Sequence, residues 1–151
     1  MTLTAGTRLG PYETQGRFSP DSRWVAYASN ESGQFQIYVQ SFPSSGGKWQ
    51  VSTGGGAQPQ WRRDGKELFY LAPDRKLMAV EVNGAGPIFL PGSPKPLFEA
   101  HVSTIFPGPG AHYYTVTGDG QRFLVYTFVG ESTPVPFTVV MNWSAGAETM
   151  N

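Results

Sequence analysis

The amino-acid sequence predicts an all-β protein made of repeated antiparallel sheets. Its 19 glycines and 13 prolines among 151 residues leave few uninterrupted windows for helices, and the longest such window is Asp21–Ser32. Apolar residues recur at every second position, as between Phe137 and Trp143, or in short unbroken runs. Both patterns are typical of β-strands. A sequence motif also recurs three times along the chain, which indicates a repeat architecture.

The recurring motif aligns on an aspartate that is followed by a turn residue and an apolar strand. Its copies are residues 18–27, 61–70 and 116–125, with Asp21, Asp64 and Asp119 as the aligned aspartates. These aspartates lie 43 and 55 residues apart, and a four-stranded propeller blade repeats at about 40–45 residues. The spacing therefore predicts a partial β-propeller of about three four-stranded antiparallel blades, with an insertion in the second repeat.

Turn chemistry explains the aspartate in each copy. A glycine after aspartate tolerates positive φ, and an aspartate carboxylate accepts a hydrogen bond from the backbone N–H two residues on. Serine tolerates positive φ poorly, so the first turn, which has Ser22 in place of glycine, is expected to differ in type. The predicted turn residues are Asp21, Asp64, Gly65, Asp119 and Gly120.

The apolar segments between these turns predict the strands of each blade. The first blade (16–57) has predicted strands Gly16–Ser19, Trp24–Ser29, Gln34–Phe42 and Trp49–Ser52. The second blade (58–100) has Gln58–Trp61, Glu67–Leu71, Lys76–Val82 and Pro96–Glu99. The third blade (112–145) has Tyr113–Thr117, Arg122–Phe128 and Phe137–Trp143, with no clear fourth strand. The segment Asn83–Pro96, rich in glycine and proline, is expected to hold the insertion of about twelve residues.

The pattern of each strand also predicts how it is buried. Alternation over residues 35–40 and 78–82 predicts strands with a single apolar face. The unbroken apolar runs Leu68–Leu71 and Phe123–Tyr126 predict strands that are buried on both faces.

The composition excludes several classes of site and partner. Eleven Lys and Arg residues balance eleven Asp and Glu residues, so no broad positive field attracts nucleic acid, and we expect no nucleic-acid partner. The absence of cysteine excludes disulfides, thiol nucleophiles and iron–sulfur sites. The sequence shows neither a membrane-spanning apolar run nor the apolar core of a signal peptide. As written, the chain is expected to remain in the cytoplasm.

Few residues in the sequence have the spacing that catalysis or metal binding requires. The glycine run 54–56 lacks the Gly-Lys-Ser/Thr that completes a phosphate-binding loop. His101 and His112, the only histidines, lack a tight metal-ligand spacing. No Gly-x-Ser-x-Gly nucleophile elbow occurs. We therefore expect no catalytic residue, no cofactor, no metal ligand and no enzymatic activity.

Four tryptophans are candidates for a recognition surface. Such residues anchor many protein interfaces, but within a blade they more often pack between neighbouring sheets, which is the favoured interpretation. They are Trp24, Trp49, Trp61 and Trp143.

The first motif copy, Phe-Ser-Pro-Asp-Ser-Arg-Trp-Val-Ala-Tyr, resembles the blade motif of TolB-like, WD-repeat-like β-propellers. That motif is close to aromatic-Ser-Pro-Asp-Gly-Lys/Arg-x-apolar-Ala-apolar. The second copy keeps the aromatic residue, the Asp-Gly pair and the basic residue, but Arg62-Arg63 replaces Ser-Pro. The third copy is the weakest, and the resemblance extends over residues 16–145.

Three further segments resemble bacterial serine/threonine protein kinases that carry a C-terminal propeller. Residues 49–82 are similar to that propeller, residues 136–143 to its end, and residues 4–13 to the opening of the kinase domain. The resemblance implies an N-terminal tail (1–15), a partial propeller (16–145) and a C-terminal tail (146–151). It also implies a parent propeller that lies outside the cytoplasm, since the family often places a membrane span before it. The kinase glycine-rich loop, strand lysine, His-Arg-Asp and Asp-Phe-Gly motifs are missing, so phosphoryl transfer is not expected.

These observations lead to one expected function and two alternatives. The chain is expected to be a non-catalytic propeller fragment that serves as a protein or peptide interaction module, or as a sensor module. Alternatively, it is an accessory part of a kinase supplied by a separate chain, or a gene remnant without function. Because propellers close with roughly four to eight blades, three blades are expected to associate with a second copy or to be unstable.

Overall fold

The described part of the chain folds into three antiparallel β-sheets that follow one another along the sequence. The computed structural model describes residues 16–44, 47–106, 111–127 and 137–141. All regular elements in these ranges are strands. The sheets are the blades of a partial β-propeller, as the repeat spacing predicts. The predicted tails, 1–15 and 146–151, lie outside the described residues, and the domain limits stay a prediction.

Each blade is an antiparallel sheet built mainly from consecutive strands. The first sheet, in the order β1-β2-β3-β4, consists of β1 (Arg17–Phe18), β2 (Trp24–Ser29), β3 (Gln36–Ser41) and β4 (Lys48–Gln50). The second consists of β5 (Ala57–Trp61), β6 (Glu67–Leu71), β7 (Lys76–Asn83), β8 (Leu90–Pro91) and β9 (Lys95–Glu99). In the third, β11 (Arg122–Tyr126) lies between β10 (Tyr114–Val116) and β12 (Phe137–Met141).

The second blade has one strand more than predicted. The short strand β8 pairs with one end of β7, at Val82 and Asn83, while β9 pairs with the rest of β7, from Lys76 to Ala79. The extra strand comes from the segment Asn83–Pro96, which the repeat spacing marks as the insertion. The inserted residues therefore extend the blade instead of forming only a loop.

Strand β4 ends earlier than predicted, before Ser52. The backbone N–H of Val51 still donates to the Ile37 carbonyl (2.7 Å). The N–H of Ile37, however, donates to the Ser52 hydroxyl (2.8 Å) instead of to a backbone carbonyl. Because the serine side chain replaces the backbone acceptor, the regular ladder stops there. The buried side chain of Gln36 accepts hydrogen bonds from the Ser52 hydroxyl (2.5 Å) and the Gly55 N–H (3.0 Å).

Two of the burial predictions are wrong, for a different reason in each strand. Strand β3 was expected to have one apolar face, but Gln36 and Tyr38 on its other face are also buried. The Tyr38 ring lies 6.0 Å from the Tyr27 ring, so aromatic packing covers that face. Residues 123–126 were expected to be buried on both faces, but Leu124 is 38% exposed. Among the described residues, the third blade has a neighbouring blade on one side only.

The hydrophobic core lies between the blades. Along β6, successive side chains alternate between the two neighbouring sheets. Leu68 and Tyr70 belong to the core shared with the first blade, whereas Phe69 and Leu71 belong to the core shared with the third. The Phe69 ring meets the Phe123 ring of β11 edge to face, with their centroids 5.1 Å apart. The prediction that residues 68–71 are buried on both faces is therefore confirmed.

The first two strands of each blade are joined by the same turn. In all three turns, the residue after the aspartate has positive φ: 59° at Ser22, 70° at Gly65 and 74° at Gly120. Its N–H donates to the carbonyl three residues earlier, at 2.8–2.9 Å. The expectation that the Ser22 turn differs in type is wrong. A serine occupies this conformation because the side chains of Ser19 and Asp21 hold the turn together, with the Ser19 hydroxyl donating to the Asp21 carboxylate (2.6 Å).

Substitutions at this shared turn position are expected to have graded effects on stability. Ser22→Gly should raise the free energy of unfolding by about 0.5–1 kcal/mol, because glycine adopts positive φ without strain. Gly65→Ala should lower the free energy of unfolding by about 1 kcal/mol, because alanine is strained at positive φ. Crowding should add nothing, since the nearest atom to the added Cβ, in Pro20, would be 3.6 Å away. Gly120→Ala should cost more, about 2 kcal/mol, because its Cβ would lie 2.7 Å from the Cδ of Arg62.

Urea denaturation of these three variants measures the series. Equal losses for the Gly65 and Gly120 variants would show that crowding by Arg62 does not add to the backbone strain. A loss of stability in Ser22→Gly would contradict the proposal that the serine backbone is strained.

Candidate functional site

The predicted turn residues lie in a row, where the turns of neighbouring blades meet. Each aspartate carboxylate accepts a hydrogen bond from the backbone N–H two residues on: Arg23 at 3.1 Å, Lys66 at 3.0 Å and Gln121 at 3.0 Å. The second and third turns are joined by a backbone bond from the Arg63 N–H to the Gly118 carbonyl (3.2 Å). The carboxylates of Asp21, Asp64 and Asp119 are thus engaged within their own turns.

A side chain two residues before each aspartate also donates to its carboxylate. The donors are the hydroxyls of Ser19 (2.6 Å) and Thr117 (2.5 Å) and the guanidinium of Arg62 (2.8 Å). Arg62 therefore replaces the serine of the blade motif. Its hydrogen bond holds the pKa of Asp64 below its usual value, and the Thr117 hydroxyl does the same for Asp119. Burial acts to raise the pKa of Asp21, but the bonds from Ser19 and Arg23 together lower it.

Three of the four candidate tryptophans surround one phenylalanine of the inserted segment. The rings of Trp24, Trp49 and Trp61 lie 5.3, 5.9 and 6.1 Å from the ring of Phe89. Trp24 is buried, and its indole N–H donates to the Gly84 carbonyl (2.9 Å). Trp49 and Trp61 are partly buried against the same core. Trp143 lies outside the described residues, and an interface role for these tryptophans stays a prediction.

A cleft of about 350 Å³ opens where the first strands of the three blades converge. These strands, β1, β5 and β10, are edge strands of their sheets, and all three contribute to the cleft lining. Because every blade presents the same edge here, the cleft lies on the axis of the partial propeller. We call it the axial cleft. Its lining residues are Arg17, Phe18, Pro20, Gln60, Trp61, His112, Tyr114 and Thr115.

Side chains of β5 fix the inner strands to one another. The Trp61 indole N–H donates to the Arg17 carbonyl of β1 (2.9 Å). The Gln60 amide donates to the Tyr114 carbonyl of β10 (2.6 Å), and the Tyr114 hydroxyl donates to the Gln58 carbonyl (2.8 Å). Tyr114 is buried, which raises the pKa of its phenol well above the usual value. The neutral phenol therefore serves as a hydrogen-bond donor that ties the second blade to the third.

Arg17 and His112 form a hydrogen-bonded pair in the axial cleft. The Arg17 guanidinium donates to His112 Nε2 (2.6 Å). Because a guanidinium can only donate, Nε2 carries a free electron pair, and the neutral His112 ring has its proton on Nδ1. Burial and the positive charge of Arg17 both lower the pKa of His112. The pair thus carries one positive charge, and the described residues that line the cleft include no acidic residue.

A second cleft, of about 540 Å³, lies beside the turns of the first two blades. Several of its polar groups are bonded within the protein. Arg62 pairs with Asp64 (2.8 Å) and Glu67 (2.7 Å), and Lys95 pairs with Glu81 (3.3 Å). The arginine of this cleft, Arg62, is therefore already paired with carboxylates, unlike Arg17 in the axial cleft.

The two histidines have different neighbours in the structure. His101 Nδ1 lies 3.7 Å from a Glu99 carboxylate oxygen, whereas His112 contacts Arg17. Within the ranges that the structure describes, no three histidine or acidic side chains come close enough to hold a metal ion. In the same ranges, no helix has the length and hydrophobicity needed to cross a bilayer.

The sequence did not single out Arg17, Gln60 or Thr115 as neighbours in one site. Each of these residues nevertheless precedes the aspartate of its repeat by four positions. Because equivalent positions of the blades converge on the axis, alignment of the repeats could have grouped them. His112 has no equivalent in the aligned motif and carried no such signal.

Solved structures resemble this chain in fold. TolB from Acinetobacter baumannii matches with a TM-score of 0.64 at 18% sequence identity, over 87% of this chain and 30% of that one. An oligogalacturonate lyase from Vibrio parahaemolyticus and an oligogalacturonate lyase in complex with manganese both match with a TM-score of 0.51 at 16% identity, over 74% of this chain and 27% of theirs. The chain shares its fold with these β-propellers. It spans less than a third of their length. No protein-family model and no curated protein matches the chain.

Proposed function

We propose that this chain is a non-catalytic β-propeller module that binds a protein or peptide in the axial cleft. The observation that carries the proposal is the convergence of three blades on one cleft whose walls are held by bonds between strands. A rigid, partly apolar concavity with a few polar groups is the usual form of a binding site. Phe18 and Trp61 supply apolar surface, and Arg17 and Gln60 supply polar groups.

We further propose that the propeller belongs functionally with a serine/threonine protein kinase. The support is the resemblance of residues 49–82 and 4–13 to that family. In this proposal a separate chain supplies the kinase catalytic domain, and the propeller acts as its accessory part. A role as a sensor module fits the same arrangement, in which ligand binding at the propeller is communicated to the kinase.

Selection from a displayed peptide library tests the binding function. The full chain should enrich peptides that compete for one site, and Trp61→Ala, which removes one wall of the axial cleft, should abolish the enrichment. Trp49→Ala, the same truncation at a tryptophan that also packs on Phe89 but lies outside the cleft lining, is the matched control and should retain it. Enrichment that survives Trp61→Ala would refute the proposed location, and no enrichment would refute the peptide-binding function.

Incubation with Mg-ATP tests the non-catalytic part of the proposal. The pure chain should release no phosphate and should not phosphorylate itself. Phosphate release that persists through purification to homogeneity would overturn the assignment. Capture of a kinase catalytic domain from the source cell would support the accessory role, whereas rapid degradation of the chain in the cell would favour a gene remnant.

A further inference from the structure

We propose that the axial cleft recognises an acidic side chain of an extended peptide, with Arg17 as the residue that binds the carboxylate. The inference rests on the proposed peptide-binding function and names its ligand class. It goes beyond that function because a cleft of this size could also take a purely apolar segment. The positive charge of Arg17, its remaining hydrogen-bond donors and the apolar surface beside it favour an acidic peptide over a purely apolar one.

The hydrogen bonds in the cleft leave the guanidinium of Arg17 with donors to spare. A guanidinium has five N–H donors, and in the described part of the chain its side chain bonds to one group, His112. No described carboxylate forms a salt bridge with it. By contrast, Arg23 donates to three backbone carbonyls (2.7–3.2 Å), and Arg62 is paired with two carboxylates. Arg17 is therefore a cation in a cleft to which the described residues contribute no acid.

His112 holds this guanidinium in place. The neutral ring accepts a bond from one Arg17 nitrogen (2.6 Å), and this limits the positions that the remaining donors can take. The Arg17 backbone is held as well, since its carbonyl accepts the Trp61 indole N–H (2.9 Å). A donor group that is positioned before binding loses less conformational freedom when a ligand arrives.

The surface beside Arg17 favours a peptide over a small anion. Phe18 and Phe42 are 54% and 45% exposed, and their rings meet edge to face at 4.9 Å. A free carboxylate would leave this aromatic pair uncovered. A peptide with apolar residues flanking an aspartate or glutamate would cover the pair while its carboxylate accepts two parallel N–H bonds from Arg17.

Titration with short blocked peptides tests this recognition. The probes are acetylated, amidated pentapeptides with central Phe-Glu-Phe or Phe-Gln-Phe, observed by NMR through the Trp61 indole N–H. The Glu peptide should bind about tenfold more tightly than the Gln peptide, because charge-assisted hydrogen bonds are roughly twice as strong as neutral ones. A third peptide, with Phe-Gln-Phe and a free C-terminal carboxylate, should bind no more tightly than its amidated form.

Variants of two arginines make the test specific. Arg17→Gln should remove the preference for Glu, and Arg17→Lys should keep part of it. Arg122→Gln, a matched change outside the cleft lining, should leave the preference unchanged. If the preference for Glu survives Arg17→Gln, or if the free C-terminus binds best, the inference is wrong.

The outcomes also separate this inference from the proposed function. Equal binding of the Glu and Gln peptides would refute acidic recognition and leave peptide binding in place. If none of the peptides shifts the Trp61 signal at millimolar concentration, acidic recognition by Arg17 fails, while the library selection described above decides the peptide-binding function independently.

Discussion

Replacing Phe69 with alanine is expected to lower the free energy of unfolding by about 3–5 kcal/mol. Phe69 is fully buried between the second and third blades. Its ring packs against Phe123 and belongs to the same hydrophobic cluster as Leu71 and Leu77. Removal of the ring leaves a cavity that rigid sheets on both sides cannot close. Since domains of this size are stable by only about 5–15 kcal/mol, the loss is a large fraction of the total.

Leu124 provides the matched control for this prediction. It occupies the same repeat position as Phe69, five residues after the aspartate, but it is 38% exposed. Its cross-strand partner Val139 is 55% exposed. Leu124→Ala should therefore cost about 1 kcal/mol or less. If Phe69→Ala does not fold, Phe69→Leu should still fold and cost about 1–2 kcal/mol.

Urea denaturation at several protein concentrations measures both costs. A cost for Leu124→Ala as large as that for Phe69→Ala would mean that another surface covers the third blade in solution. A cost that increases with protein concentration would identify that surface as a second copy. The self-association expected from the number of blades stays a prediction, and light scattering of the parent chain tests it directly.

The turns and strands could be predicted because their causes are local. An aspartate accepts a hydrogen bond from the N–H two residues on wherever the chain makes this turn, so Asp21, Asp64 and Asp119 indicate the hairpins without any tertiary contact. The strands followed from the apolar period, and their grouping into blades followed from the repeat spacing. The conformation of Ser22 could not be predicted from its own preference, because the hydrogen bonds of Ser19 and Asp21 stabilise a backbone conformation that serine alone avoids.

The axial cleft could not be predicted in the same way. Arg17 and His112 are 95 positions apart in the sequence, and they meet only because three blades curve around one axis. The burial of β3 and β11 could not be predicted from their patterns either. Each strand belongs to a blade with one neighbouring blade in the described part of the chain. The second face of β3 is nevertheless buried, where Tyr38 packs with Tyr27, whereas Leu124 of β11 stays exposed.

The burial of Phe89 in the inserted segment is the largest feature that sequence patterns missed. The repeat spacing placed the insertion at Asn83–Pro96, but it did not predict that Phe89 within this segment is fully buried. The loop is also bound to the first blade by Arg23, whose guanidinium donates to the carbonyls of Ala85 (2.9 Å) and Gly86 (2.7 Å). Nothing local distinguishes Phe89 from its apolar neighbours, because the tryptophans that surround it lie on three other strands, β2, β4 and β5.

Replacing Phe89 with alanine is therefore expected to cost about 3–5 kcal/mol of unfolding free energy. Its two chain neighbours are natural controls, since Ile88 and Leu90 are each 59% exposed. Ile88→Ala and Leu90→Ala should each change stability by about 0.5 kcal/mol or less. Because the lost ring contacts three tryptophans, Phe89→Ala should also change the intrinsic fluorescence of the folded state, while the two control variants should not.

The fluorescence and stability measurements together decide whether the insertion is part of the core. Loss of Phe89 should leave the loop held mainly by Arg23 and Trp24, so adding Arg23→Ala to the Phe89 variant should expose residues 84–90 to proteolysis. The two substitutions act on one element, and their effects on stability should not be additive. If Phe89→Ala unfolds at the same urea concentration as Ile88→Ala, the phenylalanine does not hold the first two blades together, and the insertion is a surface loop after all.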